Sequence, residues 1–207
     1  MRTVPKGSAI ARLRSEKKKE TKRTDMVDLS QAKQIEGYED YWIFSDGRIY
    51  SGKIWRGKRG RFLSPPLRNC GTNKYATVSL YRNKERKLVS LHTLVAQAFI
   101  GPTPTIDGER AEVDHIDGNS LNNHVDNLRY GTRANNQMNK PPKENCLSKY
   151  KGVSFNHGRP FAQISINNKT KYLGEFDSEI EAAKAYDKKA YELHGEFAHL
   201  NFPEDYR

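Results

Sequence analysis

Between Glu112 and Asn139 the chain reads EVDHIDGNSLNNHVDNLRYGTRANNQMN, holding seven Asn, three Asp and two His between short apolar segments. A brief strand over Ala111 to His115 leads into the Asp117-Gly118-Asn119 turn and an Asn-rich loop. A second strand follows at Asn127 to Tyr130, and Thr132 can cap a short helix carrying Arg133, Asn135, Asn136 and Asn139. The stretch is thus predicted to fold as strand, loop, strand, helix. Asn is a poor helix former, so three of them in five positions require a reason beyond propensity, as ligands or as orienting groups.

The 207-residue chain as a whole is only 35% hydrophobic, too little for one large core, and several small modules fit better. The net charge of +11 implies a polyanionic partner, unless the chain is merely a soluble basic protein. That charge is uneven. Residues 1–30 hold 9 basic and 4 acidic side chains, 31–90 hold 13 and 5, 91–140 hold 4 and 6, and 141–207 hold 10 and 10. The one acidic segment contains the Asn-rich stretch, and carboxylates amid basic flanks suit a cation site facing a phosphate. Cys70 and Cys146 form no CxxC pair, so no zinc is expected and a reducing cytoplasm is the expected home. No apolar run approaches a membrane span, and no membrane partner is expected.

In chain order, residues 1–33 are expected to be a flexible basic tail, either attracting phosphate or serving as a solvated leader. Strands flanking Asp46-Gly47 predict a hairpin, and YATVSLYR with KLVSL predicts a second strand pair closed by Asn83–Arg86. The segment GKIWRGKRGRF is expected to be a basic loop joining the pairs, its aromatics either stacking on nucleic acid or packing locally. Ser90 to Phe99 reads as a helix capped by Ser90 and ended by Gly101-Pro102, with His92 as a structural residue or phosphate contact. After the stiff Lys140–Lys143 linker, three strands are predicted at Lys149–Phe155, Arg159–Ile166 and Lys171–Phe176. A helix follows over Glu179–His194, with Ser178 and Glu181 in capping-box spacing and Gly195 as the stop. Its expected apolar stripe is Ile180, Ala183, Tyr186, Ala190 and Leu193. Residues 143–172 hold 6 basic and 1 acidic side chains against 4 and 9 in 173–207, so the sheet rather than the helix should meet DNA.

Phosphodiester hydrolysis needs an activated water, an electrophile on the phosphate oxygens and stabilisation of the leaving 3′ oxygen. His115, with an ordinary pKa of ~6.5, suits a general base. Asp114 is a hard oxygen donor for Mg²⁺ or Mn²⁺, and an Asn amide oxygen can be a second. Neighbours on a strand face opposite ways, so the two can cooperate only at the strand edge, where the helix folds over.

LHTLVAQAF, EVDHIDGNSLNN, DNLRYGT and ANNQ, in that order, resemble the HNH nucleases of phage and intron-borne homing endonucleases. The resemblance implies a ββα-metal core, with His115 as general base, Asn127 orienting or polarising the His or the water, and Asn136 binding the metal with Asp114. EGYEDYWIFSDGRIYS and YATVSLYR resemble a small module often joined to such nucleases. YKGVSF, KYLGEF, EAAKAYDKKA and LNFP resemble the plant APETALA/ethylene-response-factor DNA-binding domain, which reads the major groove with its three-stranded sheet. Arg159-Pro160-Phe161 stands where that family usually has a Trp, so its base contacts do not transfer.

The expected fold is therefore α+β and multi-domain. It comprises the tail, a β-rich module over 34–90, the nuclease core over 91–140, a linker over 141–148 and a three-stranded sheet plus helix over 149–204. The candidate contacts to double-stranded DNA are Arg56, Lys58, Arg59 and Arg61, then Arg129 and Arg133, then Lys149, Lys151, Arg159, Gln163, Lys169 and Lys171. The expected activity is site-selective DNA cutting by a monomer that nicks one strand, in a bacterial host cytoplasm if phage-encoded. The alternative is a DNA-binding regulator with an inactive nuclease fold. The metal site is expected to be complete without residues 145–207.

Overall fold

The computed structural model describes residues 27–71, 73–142, 146–166 and 169–206, without the side chains of Trp55, Lys58 and Arg59. Residues 1–26 of the expected tail, residues 143–145 of the linker region, the Asn167-Asn168 turn and the Lys58 and Arg59 side chains lie outside the described residues. The site is positioned within the compact unit Lys33–Arg207.

Strands β1 (Ala32–Ile35), β2 (Tyr38–Phe44), β3 (Ile49–Trp55) and β4 (Lys58–Phe62) form a four-stranded sheet in that order. The Asp46-Gly47 turn closes β2 on β3, where the Asp46 carboxylate accepts the Arg48 N–H at 2.9 Å. The segment expected as a basic loop is instead a further hairpin: β3 pairs with β4 from Tyr50↔Phe62 to Trp55↔Lys58, turning at Arg56-Gly57. The Gly57 position, at φ +76°, supplies the tight turn that makes this possible.

Strands β5 (Leu67–Cys70), β6 (Asn73–Arg82) and β7 (Glu85–Ser90) form a second sheet and lead into α1 (Leu91–Phe99). Ser90 occupies the N-cap position with extended backbone, but its hydroxyl makes no capping bond. Leu91, Leu94 and Val95 face inward, as their spacing predicts, and the Gly101 N–H donates back to the Ala96 carbonyl at 3.0 Å as the helix ends.

One apolar cluster unites Ile43 and Ile49 of the first sheet, Val78 and Leu80 of the second, Leu94 and Val95 of α1, and Leu128. The core therefore runs through the boundary expected between residues 90 and 91. The stripe on α1 is buried in this cluster, and each fully buried Ile or Leu contributes roughly 1.5–3 kcal/mol.

A two-residue hairpin, β8 (Thr105–Ile106) with β9 (Glu109–Arg110), precedes β10 (Glu112–His115). β10 pairs antiparallel with β11 (Leu128–Gly131), and α2 (Arg133–Met138) follows.

Strands β12 (Val153–Asn156), β13 (Arg159–Ile166) and β14 (Lys169–Glu175) make a separate sheet under α3 (Glu179–His194). Val153, Ala162 and Ile164 meet Ala182, Ala183, Tyr186 and Ala190 in its core. Ser178 caps α3 as expected, its hydroxyl accepting the Glu181 N–H at 3.2 Å. The buried face is rotated from the expected stripe: Ile180 and Leu193 are exposed, whereas Ala182 and Asp187 are fully buried. Asp187 explains the rotation. Its carboxylate accepts the backbone N–H of Asn201 at 2.9 Å and of Phe202 at 2.8 Å, drawing the terminal segment across the helix. Gly152 permits the close seat of Tyr186, since a Cβ there would stand 1.9 Å from the ring.

The mixed α/β character expected from the sequence is present. Among the described residues no helix is long and apolar enough to cross a membrane.

Candidate nuclease centre

Alternation along β10 divides the site into two faces. Glu112 and Asp114 share one, and Val113 and His115 the other. Asp114 lies opposite Arg129 in the ladder, and His115 opposite the core residue Leu128.

The Asp114 face is covered by α2, whose start is fixed by a capping box: Thr132 Oγ1 accepts the Asn135 N–H, and the Asn135 side chain returns to the Thr132 N–H. That geometry gives the three helix asparagines three tasks. Asn135 caps, Asn136 Nδ2 donates to Glu112 Oε2 at 3.0 Å, and buried Asn139 donates to the Asp114 carboxylate at 3.1 and 3.2 Å. Asn139 also donates to the His115 carbonyl at 2.7 Å. Asn136 Oδ1 is buried with no hydrogen-bond partner.

Arg129, expected as a phosphate contact, is committed inward. Its Nε and Nη2 donate to Asp114 Oδ2 at 3.0 and 2.8 Å, and the side chains are only 13% and 9% exposed. Nη1 donates to the Glu196 carbonyl, and the guanidinium lies 4.3 Å from the Phe197 ring centre. The ladder accounts for this: a cation opposite a buried carboxylate on one face neutralises it.

On the other face His115 is buried, and its Nε2 has no hydrogen-bond partner. His92 of α1 meets it edge-on at 5.2 Å between ring centres, and Tyr75 lies 6.1 Å away. Burial pushes the His115 pKa below the usual imidazole value, opposed by the Asn123 side chain and the Asp117 and Asp114 charges. Burial, and then the charge on His115, push His92 down to about 4.

The Asn127 side chain makes no hydrogen bond to His115. Its Oδ1 accepts the Asp117 N–H at 3.0 Å, and its Nδ2 donates to Asp117 Oδ1 and the Asn122 carbonyl, both at 2.9 Å. Those bonds use the amide fully and brace the loop between β10 and β11. The amide that raises the His115 pKa belongs instead to Asn123, which reads in sequence as loop structure; its Nδ2 donates to the Leu121 carbonyl at 3.0 Å and its buried Oδ1 has no hydrogen-bond partner. Asn123 is set there by the first module: Val125 N–H donates to the Ser45 carbonyl at 2.8 Å, and a Cβ on Gly47 would stand 3.2 Å from Asn123 Cβ. Proximity through the β2–β3 turn leaves no signal in the sequence around Asn123.

Other expected contacts divide similarly. Arg56 lies at the β3–β4 turn and Arg61 on β4, while Arg133, Lys149 and Arg159 are exposed. Lys151 is largely buried, donating to the Met138 carbonyl, and burial lowers its pKa to about 8. Arg159 and Gln163 lie on the sheet face away from α3. Lys169 and Lys171 pair with Ile166 and Ile164 and so stand on the helix side, at the exposed edge of β14.

Among the described residues no three His, Cys, Asp or Glu side chains cluster as a metal cage. A cation here would rest on Asp114 and an amide oxygen. The unpartnered Asn136 Oδ1, on the helix face that addresses Glu112 and Asp114, fits a hard divalent ion.

A family model described as HNH endonuclease matches residues 89–138. The HNH endonuclease L560 of Acanthamoeba polyphaga mimivirus is 34% identical over 177 residues, covering 82% of this chain and 89% of the relative. Two longer mimiviral relatives are covered over 28% and 34% of their lengths. The dehydration-responsive element-binding protein 2D of Arabidopsis thaliana is 43% identical over 67 residues, which are 31% of this chain and 32% of that protein. A solved structure of the HNH homing endonuclease I-HmuI in DNA binding and cleavage overlays with a TM-score of 0.43 at 24% identity, covering 79% of this chain and 90% of that one. The matched segment is the one that carries Asp114, His115 and α2, and the likeness to L560 extends over nearly all of that relative: the chain belongs to the HNH endonuclease family.

Proposed function

We propose that the chain is a site-selective DNA endonuclease of the homing type that hydrolyses one phosphodiester per monomer and so nicks one strand. The observation that carries this reading is that two of the buried polar atoms without a hydrogen-bond partner belong to side chains of this stretch: His115 Nε2, on the face of β10 opposite Asp114, and Asn136 Oδ1 of α2, on the Asp114 side.

His115 is the general base. Neutral at pH 7 because burial lowers its pKa, it accepts the proton of the water that attacks phosphorus as the 3′ oxygen leaves. Asn123 orients its ring, and Asn127 acts indirectly by bracing the loop. Asp114 and Asn136 would hold Mg²⁺ or Mn²⁺, which when bound supplies Lewis acidity to the phosphate oxygens and the leaving oxygen. Substrate entry must part the shell of Tyr75, His92 and Asn123 around His115, because the base is closed to solvent.

Residues 34–90 and 149–204 are assigned to DNA binding. The second assignment rests on likeness to the element-binding plant protein over part of its length, and its contacting face would be that of Arg159 and Gln163. The chain would act as a monomer on duplex DNA in a host cytoplasm.

The test is relaxation of supercoiled plasmid with Mg²⁺ or Mn²⁺. The intact chain should produce nicked circles, His115→Ala should lower the rate at least about 100-fold, and Asp114→Asn should do likewise. No nicking by the intact chain, with metal-independent binding to a defined site, would favour a DNA-binding regulator built on an inactive nuclease fold.

A further inference from the structure

Of the two side chains that hold the Asp114 carboxylate, Arg129 is itself held by the C-terminal module. Arg129 is backed by the Glu196 carbonyl and the Phe197 ring. Next to Asn139, Lys151 Nζ of the same module donates to the Met138 carbonyl. Phe197 packs so closely on β11 that a Cβ at Gly131 would stand 2.9 Å from the ring. Neither contact involves the sheet face of Arg159 and Gln163.

We propose that the Glu196-Phe197 segment is a positioning element of the nuclease centre, fixing Arg129 so that the Asp114 carboxylate keeps the orientation in which it binds a divalent cation. The C-terminal module is then part of the metal site as well as a DNA-binding attachment, and the centre is incomplete without it.

The physical reason lies in the geometry of Asp114. A carboxylate offers about four lone-pair directions, and Arg129 takes two of them, both on Oδ2. Pinned there, the group presents Oδ1 in one direction, shared only with the longer Asn139 contact at 3.2 Å. An Arg129 released from Glu196 and Phe197 would swing, and the carboxylate with it. Outer partners of this kind typically set metal affinity by about 10–100-fold.

The inference rests on Asp114 being a metal ligand, and the experiment separates the two. Mn²⁺ is titrated into the full-length chain and its variants, and bound ion is read by electron paramagnetic resonance in the absence of DNA, with duplex binding measured in parallel. Asp114→Asn should weaken Mn²⁺ binding at least about tenfold. Phe197→Ala should weaken it about tenfold while duplex affinity stays within twofold. Phe197→Tyr should restore it. Phe197→Leu, which keeps apolar packing on Gly131 without the ring face, should give an intermediate loss of about threefold and carries the test if the Ala variant does not fold. Normal Mn²⁺ affinity in Phe197→Leu and in folded Phe197→Ala, with Asp114→Asn impaired, overturns the positioning role alone. Normal affinity in Asp114→Asn, or no Mn²⁺ binding by the parent chain, overturns the ligand assignment and the positioning role together.

Discussion

Asn139 ties Asp114 and His115 of β10 together: a single amide nitrogen donates at 2.7 Å to the His115 carbonyl and at 3.1 and 3.2 Å to the carboxylate of Asp114. It is the C-cap of α2 and is 4% exposed, so α2 is stapled to the strand at the point where the proposed metal ligand and the proposed base adjoin. Asn139→Leu keeps the volume and removes the donor. It should lower stability by about 2–3 kcal/mol, since buried acceptors lose their partner, and reduce nicking further than it reduces duplex binding. Urea unfolding and plasmid relaxation check both; wild-type stability in this variant would show the staple to be idle.

Asn127 should behave as a loop brace. Asn127→Asp loses the Nδ2 donor to Asp117 and Asn122 and places a second carboxylate beside Asp117. Loss of nicking should come with increased amide exchange across residues 116–124. A rate loss with unchanged exchange would point to direct contact with the reacting groups instead.

Acid should unfold the chain through its histidines. His92 is pushed down to about 4, and His115 and His199 are also lowered, each chiefly by burial. The folded chain then holds fewer protons than the unfolded chain below the ordinary imidazole value of ~6.5. Stability is therefore fully present above that pH and is lost as pH falls toward 4, by roughly 3 kcal/mol for His92 alone. Urea midpoints at pH 7.5, 6 and 4.5 should fall in that order, and His92→Gln should flatten the series. With His115 as the proposed base, the same lowering should put the acid limb of the nicking rate below pH 6.5.

Asp187 is fully buried and receives three N–H groups from Asn201 and Phe202. Asp187→Ala should destabilise the C-terminal sheet and helix by about 2–4 kcal/mol, because those donors are left unpaired. Thermal melting of the full chain should show the loss, while Asp187→Asn, which keeps an acceptor, should lose less. Equal melting for Asp187→Ala and the parent would remove the capping role.

Local signals carried far in this chain. Alternating apolar residues around Asp46-Gly47, the Ser178 cap and Gly195 stop, and the Thr132 cap were each sufficient to place an element, because each depends on residues a few positions apart. The order of Asp114, His115 and Asn136 similarly marked the candidate centre, since strand, loop and helix are contiguous.

What remained illegible is long-range. Arg129 and Lys151 look like free cations in sequence, and only the β10–β11 register and the seat of the C-terminal module turn them inward. Asn123 reads as loop filler until the β2–β3 turn presses it on His115, and the expected module boundaries ignore cores and contacts that cross them. The sequence by itself determined the local elements and the chemical types available near Asp114. The tertiary structure alone decided which charges are buried against which partners, because desolvation and ladder register depend on residues that meet only when the sheets and helices pack.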